Sequence, residues 1–485
     1  MLCRGLTVRD AGGHPLRLAG SQADVTGQKR AEERLVHDAL HDALTGLPNR
    51  SLFLDRLHHA VSLASQRAAR RRGRGFGVLF LDLDRFKLVN DTLGHAVGDH
   101  FLIEVARRIT VGLRSGDTAA RLGGDEFAIL LEDIDSVADA ETIAERVIDR
   151  IGEPLEMSGQ ALCPGASVGV VVQGAEPRSA EEILRNADIA MYQAKRSGGR
   201  HAVFDASMRS EAAERLSLES ELRRAIERRE FELHYQPILD IGEGRLVGFE
   251  ALLRWRHPNR GVVPPQEFLP VLEETRLISS VGRWLLEEAC RQVGLWQAER
   301  GASGGLRVSV NVSTVQFAQP SFVQEVREAL STTGLPPWCL ALEITESAIL
   351  ENTEAAGRML QELHALGVQI HLDDFGTGYS SLAYLARFPI DCVKIDRSFI
   401  SRMRHHRADM EIVRAIAAIA HNLDMEVIGE GIESPDEVAA LLSAGCRLGQ
   451  GWLYSRALPP EEASRLVESK DRLPAATTTP QAREG

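Results

Sequence analysis

The sequence predicts a multidomain α/β chain whose second half is a (β/α)8 barrel with an antiparallel first strand pair. Three observations carry this. The chain has 485 residues, too many for one ordinary core when domains run to about 100–200 residues each. Downstream of residue 230, eight apolar strand-length segments recur, at 231–239, 246–253, 306–312, 339–345, 368–373, 392–396, 426–430 and 446–453, and most are separated by helix-length stretches. Polar residues then gather where such a barrel places its chemistry, at the strands' C-terminal ends: Glu250, Asn311, Glu343, Asp373, Asp374, Lys394 and Glu430. The first two segments are joined only by Asp240-Ile241-Gly242-Glu243-Gly244-Arg245. A parallel pair needs a crossover of about a dozen residues, so this pair is expected to be antiparallel.

Composition narrows the function classes. A net charge of -13 argues against general nucleic-acid affinity, while leaving room for a local basic patch that holds a phosphorylated small molecule. The six cysteines, Cys3, Cys163, Cys290, Cys339, Cys392 and Cys446, are scattered with no C-x-x-C pair and read as reduced thiols of a cytosolic protein. No run of about 18 apolar residues suggests a membrane span, and residues 1–20 lack the apolar centre of a signal peptide. A soluble, cytoplasmic chain is expected.

From the N-terminus, residues 1–27 read as a turn at Gly12-Gly13 followed by one strand, too little to bury a core. With Asp24-Val25-Thr26 at the hand-over to a helix, this segment resembles the C-terminal end of a PAS sensor domain. Residues 28–41 form a helical linker, capped by Asp24 or Thr26; fewer than three heptads favour a surface helix over a dimerising coiled coil. Asp42-Ala43-Leu44-Thr45-Gly46-Leu47-Pro48-Asn49-Arg50 reads as a turn opening a helix to about Ala69, followed by a basic surface loop at 67–74. Residues 76–84 read as a buried strand that places Asp82 and Asp84 on one face. Carboxylates at the end of an apolar strand are destabilising unless paired or metal-bound. A helix from about 98 to 113 follows, and residues 118–131 read as two strands joined at Gly123-Gly124, a hairpin with Asp125 and Glu126 at its tip. There Asp82 from a neighbouring strand can meet them and hold Mg²⁺ through oxygen ligands.

Over residues 42–205 the chain resembles the GGDEF diguanylate cyclase domain, through Gly123-Gly124-Asp125-Glu126-Phe127, the strand end Asp82-Leu83-Asp84-Arg85-Phe86-Lys87 and the opening Leu44 to Arg50. The resemblance implies an α+β nucleotidyl-cyclase-like fold and condensation of two GTP into cyclic di-GMP. Asp82 and Asp125 would hold Mg²⁺ and Glu126 would assist deprotonation of the attacking 3′-hydroxyl. Asn90 and Asp99 would read guanine, Lys87 and Lys195 would contact phosphates, and Gly123 and Gly124 would let backbone approach the nucleotide. The basic residues of Lys195-Arg196-Ser197-Gly198-Gly199-Arg200-His201 are spaced one position further apart than the family pattern, which argues against Arg200 as a phosphate ligand. Arg114 and Asp117 match the family's R-x-x-D inhibitory product site. Each such domain holds one GTP, so a two-fold homodimer is implied.

The helical stretch 206–229 is a charged hinge that overlaps the start of the barrel domain, 213–465. The barrel reading is organised around His371-Leu372-Asp373-Asp374-Phe375-Gly376-Thr377-Gly378-Tyr379, where a strand ends in two adjacent carboxylates and a glycine-rich turn. Hard oxygen ligands at this density suit Mg²⁺ or Mn²⁺, as two ions about 3.5–4 Å apart activating a water against a phosphodiester. This half resembles the EAL cyclic di-GMP phosphodiesterase domain, whose naming motif stands as Glu250-Ala251-Leu252-Leu253-Arg254. The resemblance implies that Glu250, Asn311, Glu343 and Asp373 are metal ligands, with Asp374 at a second metal. Lys394 and Glu430 would position or deprotonate the water, and Gln236 and Arg254 would hold substrate. Glu346 would brace the 374–381 loop, and Glu433 and Gln450 also match. Residues 466–485 read as a disordered tail.

The expected function is turnover of cyclic di-GMP: hydrolysis to pGpG by the second half and synthesis from GTP by the first. Two alternatives stand beside it, a phosphodiesterase whose first half only binds GTP as a regulator, and a catalytically silent cyclic di-GMP receptor that signals to a protein partner.

Overall fold

The structure, a computed structural model, describes residues 2–10, 12–69, 75–157, 160–173, 179–300, 305–350, 353–376 and 385–469. The chain divides into two compact units, Met1–Glu214 and Arg215–Gly485.

The first unit opens with two strands, β1 (Leu2–Arg9) and β2 (Pro15–Ala23), paired antiparallel. The sequence reading had one strand here. The turn between them is made by Asp10, whose Oδ1 accepts the backbone N–H of Gly12 and of His14 at 2.9 and 2.8 Å. The helix Thr26–Leu40 follows, with Asp24 Oδ1 accepting the Thr26 N–H at 2.9 Å.

The centre of this unit is β3 (Gly75–Asp84), the middle strand of a five-stranded sheet. Its neighbours are β5 (Glu126–Ile134), which forms the hairpin with β4 (Thr118–Gly123), and β8 (Gly165–Val172), which carries the short edge strand β9 (His201–Val203). A separate ribbon pairs β6 (Leu155–Met157) with β7 (Gln160–Leu162). The period-two alternation of β3 sends Leu79, Leu81 and Leu83 into one apolar cluster and Phe76, Val78 and Phe80 into another, so both faces are covered. Asp82 and Asp84 continue the face of Val78 and Phe80. A short helix, Phe86–Leu93, precedes His95–Val111 and had not been anticipated. Arg85, in the left-handed region at φ 58°, turns the chain into it, and Gly94 at φ 85° separates the two helices.

The second unit is a closed barrel. Around it run β10 (Phe231–Asp240), β11 (Arg245–His257), β13 (Arg307–Val312), β14 (Leu340–Thr345), β15 (Gln369–Phe375), β16 (Cys392–Ile395), β17 (Glu426–Gly429) and β18 (Leu448–Gly449), while β12 (Gly261–Val263) extends β11 outside the ring. β10 is antiparallel to both β11 and β18, and the other neighbours in the ring are parallel. The four-residue link 241–244 forces the reversal between β10 and β11. The last strand, Leu448–Gly449, is shorter than the 446–453 expected, and Gly451 just beyond it packs onto the Ile432 backbone with no room for a side chain.

The segment read as a tail also changes at its start. Pro460–Ser469 is a helix whose Ala463 and Val467 are buried and whose Ser464 Oγ accepts the Trp296 indole N–H at 2.7 Å. Residues 470–485 lie outside the described residues, as do 70–74 of the basic loop.

Gly169 of β8 is a point of close approach, since an added Cβ would overlap the Ala187 carbonyl and the Met191 amide of the helix Ala180–Arg196. Gly169→Ala is expected to destabilise the first unit by about 2 kcal/mol or more, read as a lower denaturant midpoint with the second unit's transition unmoved.

Candidate active site

Parallel strands aim successive inward side chains at the same end of a barrel, and here that end is acidic. Register sets the neighbours: Asn311 lies beside Glu343, and Gln236 lies opposite Glu250. Asn311 Nδ2 donates to Glu250 Oε1 at 2.7 Å. Gln450 Nε2 donates to Glu250 Oε2 at 2.5 Å and to Glu430 Oε1 at 3.2 Å.

Lys394 stands at the centre with its side chain 1% exposed. Its Nζ lies 2.6 Å from Glu343 Oε2, 2.6 Å from Glu430 Oε1, 3.3 Å from Asp373 Oδ1 and 3.6 Å from Glu250 Oε2. One ammonium thus faces four carboxylates, which cannot all be ionised cheaply in a buried site. Burial and the neighbouring Glu250 push Glu343 well above the usual carboxylate range. Glu250 is held below it, against burial, by Lys394 and by the hydrogen bonds of Gln450 and Asn311. Burial pushes Glu430 up to about 8, with Lys394 opposing. Lys394 is held well above its ordinary value, against burial, by the carboxylates around it.

Oxygen donors converge for a cation. Asp373, Asp374 and Glu430 each offer one oxygen within 4.8 Å of the others, and Glu343 Oε1 has no hydrogen-bond partner among the described residues. A hard divalent ion fits this donor set. Asp374 is exposed and held in the left-handed region at φ 54°, a conformation that Asp tolerates better than most residues.

The remaining residues singled out in this half lie at the same end or beside it. Gln236 Nε2 donates to the Ser455 carbonyl at 3.4 Å. The Arg254 guanidinium, half-buried, bonds the Leu253 carbonyl at 2.9 Å and feels Glu250. Glu433 Oε1 accepts from Arg397 at 2.6 Å. Glu346 lines a small apolar cavity with Leu372 and Phe375; of the loop it was expected to brace, 377–381 lies outside the described residues.

In the first unit, Asp82 pairs in register with Glu126, and Lys195 Nζ donates to Asp82 Oδ1 at 2.6 Å. Burial and then Asp82 raise Asp125; burial, Asp188, Asp125 and Asp82 raise Glu126. Gly124, at φ 49°, makes the hairpin tip. Arg121 fixes that tip by donating to the Gly124 carbonyl at 2.7 Å and to Asp42 Oδ1 at 3.1 Å. Asn90 packs against Gly98, while Lys87 and Asp99 are exposed. Asp117 Oδ2 accepts the Arg114 backbone N–H at 3.0 Å, and the Arg114 side chain is free to face solvent. Arg200 pairs with Asp149 at 2.6 Å. Asp188 had not been singled out from sequence, because its helix places it beside Asp82 and Glu126 only through the fold.

The sequence model of the family "Diguanylate cyclase, GGDEF domain" matches residues 39–201, and that of "EAL domain" matches residues 219–457. The Mycobacterium bovis protein Mb1389c is 38% identical over 453 residues, covering 93% of this chain and 71% of that one. The chain belongs to the GGDEF-EAL family. The "Bifunctional diguanylate cyclase/cyclic di-GMP phosphodiesterase MucR" of Pseudomonas aeruginosa is a further relative, 44% identical over 438 residues, or 90% of this chain. The chain spans 63% of that protein's length, and 54% and 53% of two other curated relatives. Among solved structures, the EAL enzyme Bd1971 in its cAMP- and cyclic-di-GMP-bound form superposes with a TM-score of 0.52 at 29% identity, covering 64% of this chain and 82% of that one. Among the described residues, no helix is long and apolar enough to cross a membrane.

Two outcomes follow from the charge balance of the EAL half. Lys394→Met leaves its carboxylates without a counter-charge and is expected to destabilise the metal-free barrel by about 3–5 kcal/mol, part of it recovered on adding Mg²⁺; calorimetry with and without chelator measures both. Glu430 binds a proton in the folded state that the unfolded chain has released, since its folded value of about 8 exceeds the ordinary 4.5. Stability of the metal-free protein should therefore fall as pH rises from about 4.5 to about 8, and Glu430→Gln should flatten that slope.

Proposed function

We propose that this chain turns over cyclic di-GMP, with the EAL half hydrolysing it to linear pGpG and the GGDEF half making it from two GTP. The observation that carries the reading is the union of Glu250, Asn311, Glu343, Asp373, Lys394, Glu430 and Gln450 in one linked network at the strands' C-terminal ends, beside Asp374. MucR and Bd1971 support it by name, the first as a bifunctional enzyme of this nucleotide and the second by its bound ligands.

In this reading Glu250, Asn311, Glu343 and Asp373 hold a divalent cation, Mg²⁺ or Mn²⁺, and Asp374 reaches a second. Such ions supply electrophilic stabilisation of the phosphodiester when bound. The chain's own groups do the rest. Glu430 and Lys394, 2.6 Å apart, are placed to hold the attacking water and take its proton. Gln236 and Arg254 flank Glu250 on β10 and β11 and orient the substrate, with Glu433 and Gln450 supporting the network and Glu346 supporting the loop after Asp374.

In the GGDEF half, Asp82 and Asp125 hold Mg²⁺, and Glu126, raised by burial and by its acidic neighbours, receives the proton of the 3′-hydroxyl. Lys195 and Lys87 neutralise phosphate charge, Gly123 and Gly124 give the nucleotide backbone access, and Asn90 and Asp99 read the base. Arg114 and Asp117 form a surface site for product feedback. Joining two GTP requires two such halves, so the working unit is a homodimer.

The test is product analysis of the purified chain with Mg²⁺, given cyclic di-GMP or GTP separately. Expected are pGpG from the first and cyclic di-GMP or pGpG from the second. Glu250→Ala should lower hydrolysis at least about 100-fold, as loss of a metal-holding group demands, and Glu126→Gln should abolish consumption of GTP alone. If GTP is left intact yet speeds hydrolysis, the GGDEF half is a regulator; if neither nucleotide is consumed, the enzymatic reading fails.

A further inference from the structure

A second polar layer lies beneath the carboxylates, and the proposed reaction does not use it. Two residues back along each parallel strand, side chains again point into the barrel: Ser309 below Asn311, His371 below Asp373 and Ile428 below Glu430. Ser309 and His371 line a chamber of about 20 Å³ whose other walls include Ile238, Phe249 and Leu448. Both are buried, Ser309 at 2% and His371 at 3% exposure. Neither ring nitrogen of His371, nor Ser309 Oγ, has a hydrogen-bond partner among the described residues.

Three unpartnered polar atoms in one small chamber call for an explanation, because buried donors and acceptors are almost always satisfied. Ala341, on the strand between them, carries only a methyl group and offers neither side chain a partner. A water molecule needs about 10–15 Å³ of such space and two to four polar contacts. A neutral imidazole presents one donor and one acceptor, a hydroxyl presents both, and water matches either. The chamber's floor is polar too: Arg307 donates to Glu426 at 2.5 and 3.0 Å and to Gln369 at 3.2 Å. The Arg307 and Glu426 side chains are 26% and 42% exposed, so the route to bulk water is through the strands' N-terminal end, opposite the carboxylates.

We propose that this chamber is a specific hydration site, in which one ordered water bridges the Ser309 hydroxyl on β13 and the His371 imidazole on β15 across the intervening β14. It is a bound component of the barrel, independent of the metal and of the nucleotide.

A high-resolution crystal structure of the full chain tests this directly. Expected is one ordered solvent peak within about 3.2 Å of Ser309 Oγ and of a His371 ring nitrogen, present without metal or nucleotide and lost in Ser309→Ala combined with His371→Leu. An empty chamber, or a direct bond between the two side chains, overturns the proposal. A double-mutant cycle on the barrel's unfolding midpoint supplies the solution test. Ser309→Ala should lower the midpoint by more in the otherwise unaltered chain than in the His371→Leu background; equal shifts in the two backgrounds also overturn it.

Discussion

The ammonium of Lys394 is the constraint on which the acidic end of the barrel depends. Four carboxylates brought into one largely buried cluster repel one another strongly, with little water to screen them. Lys394 lies within 3.6 Å of all four and within 2.6 Å of Glu343 and Glu430. It lets the barrel close around these four carboxylates. The remaining excess charge is relieved by raised proton affinity at Glu343 and Glu430, where burial outweighs the attraction of Lys394. The same charge imbalance that makes the site difficult to fold gives it affinity for divalent cations.

The barrel's irregularity serves that arrangement. A four-residue connection cannot carry a parallel crossover, so β10 runs against its neighbours and brings Gln236 opposite Glu250. β18 is only two residues long, and directly after it Gln450 donates to Glu250 and Glu430 while Gly451 packs against the Ile432 backbone. Amide donors on both sides of Glu250, from Asn311 and Gln450, fix its two oxygens in place.

The GGDEF half solves a similar problem with fewer parts. Lys195 neutralises Asp82 as Lys394 neutralises its neighbours, but at a half-exposed position. The Asp125 and Glu126 tip is held from outside by Arg121, which ties it to Asp42 at the start of the domain. Asp42 is itself fixed by Thr45, whose amide and hydroxyl both donate to its Oδ1. Through Arg121 and Asp42, 79 residues apart along the chain, the opening turn and the acidic tip are therefore one hydrogen-bonded unit.

Much of this was legible in the sequence. Strand alternation, the glycine pair at 123 and 124, and acids at strand ends are local patterns, and they determined the barrel, its antiparallel first pair and the residue types of both acidic ends, while the α+β fold of the first half followed from the resemblance of its motifs to the GGDEF family. What local pattern lacks is the meeting of distant side chains. The strand β1 and the helix Phe86–Leu93 escaped because one is specified by its partner strand and the other by a single left-handed residue, Arg85. Residues 466–469, the last turn of Pro460–Ser469, were read as tail because the face of that helix becomes evident only against Trp296. Asp188 beside Glu126 and the Ser309–His371 chamber were decided by tertiary structure alone, as were the distances that put Lys394 at the centre of its four carboxylates. Period two says which side of a strand a residue faces; only barrel closure and helix packing say what it faces there.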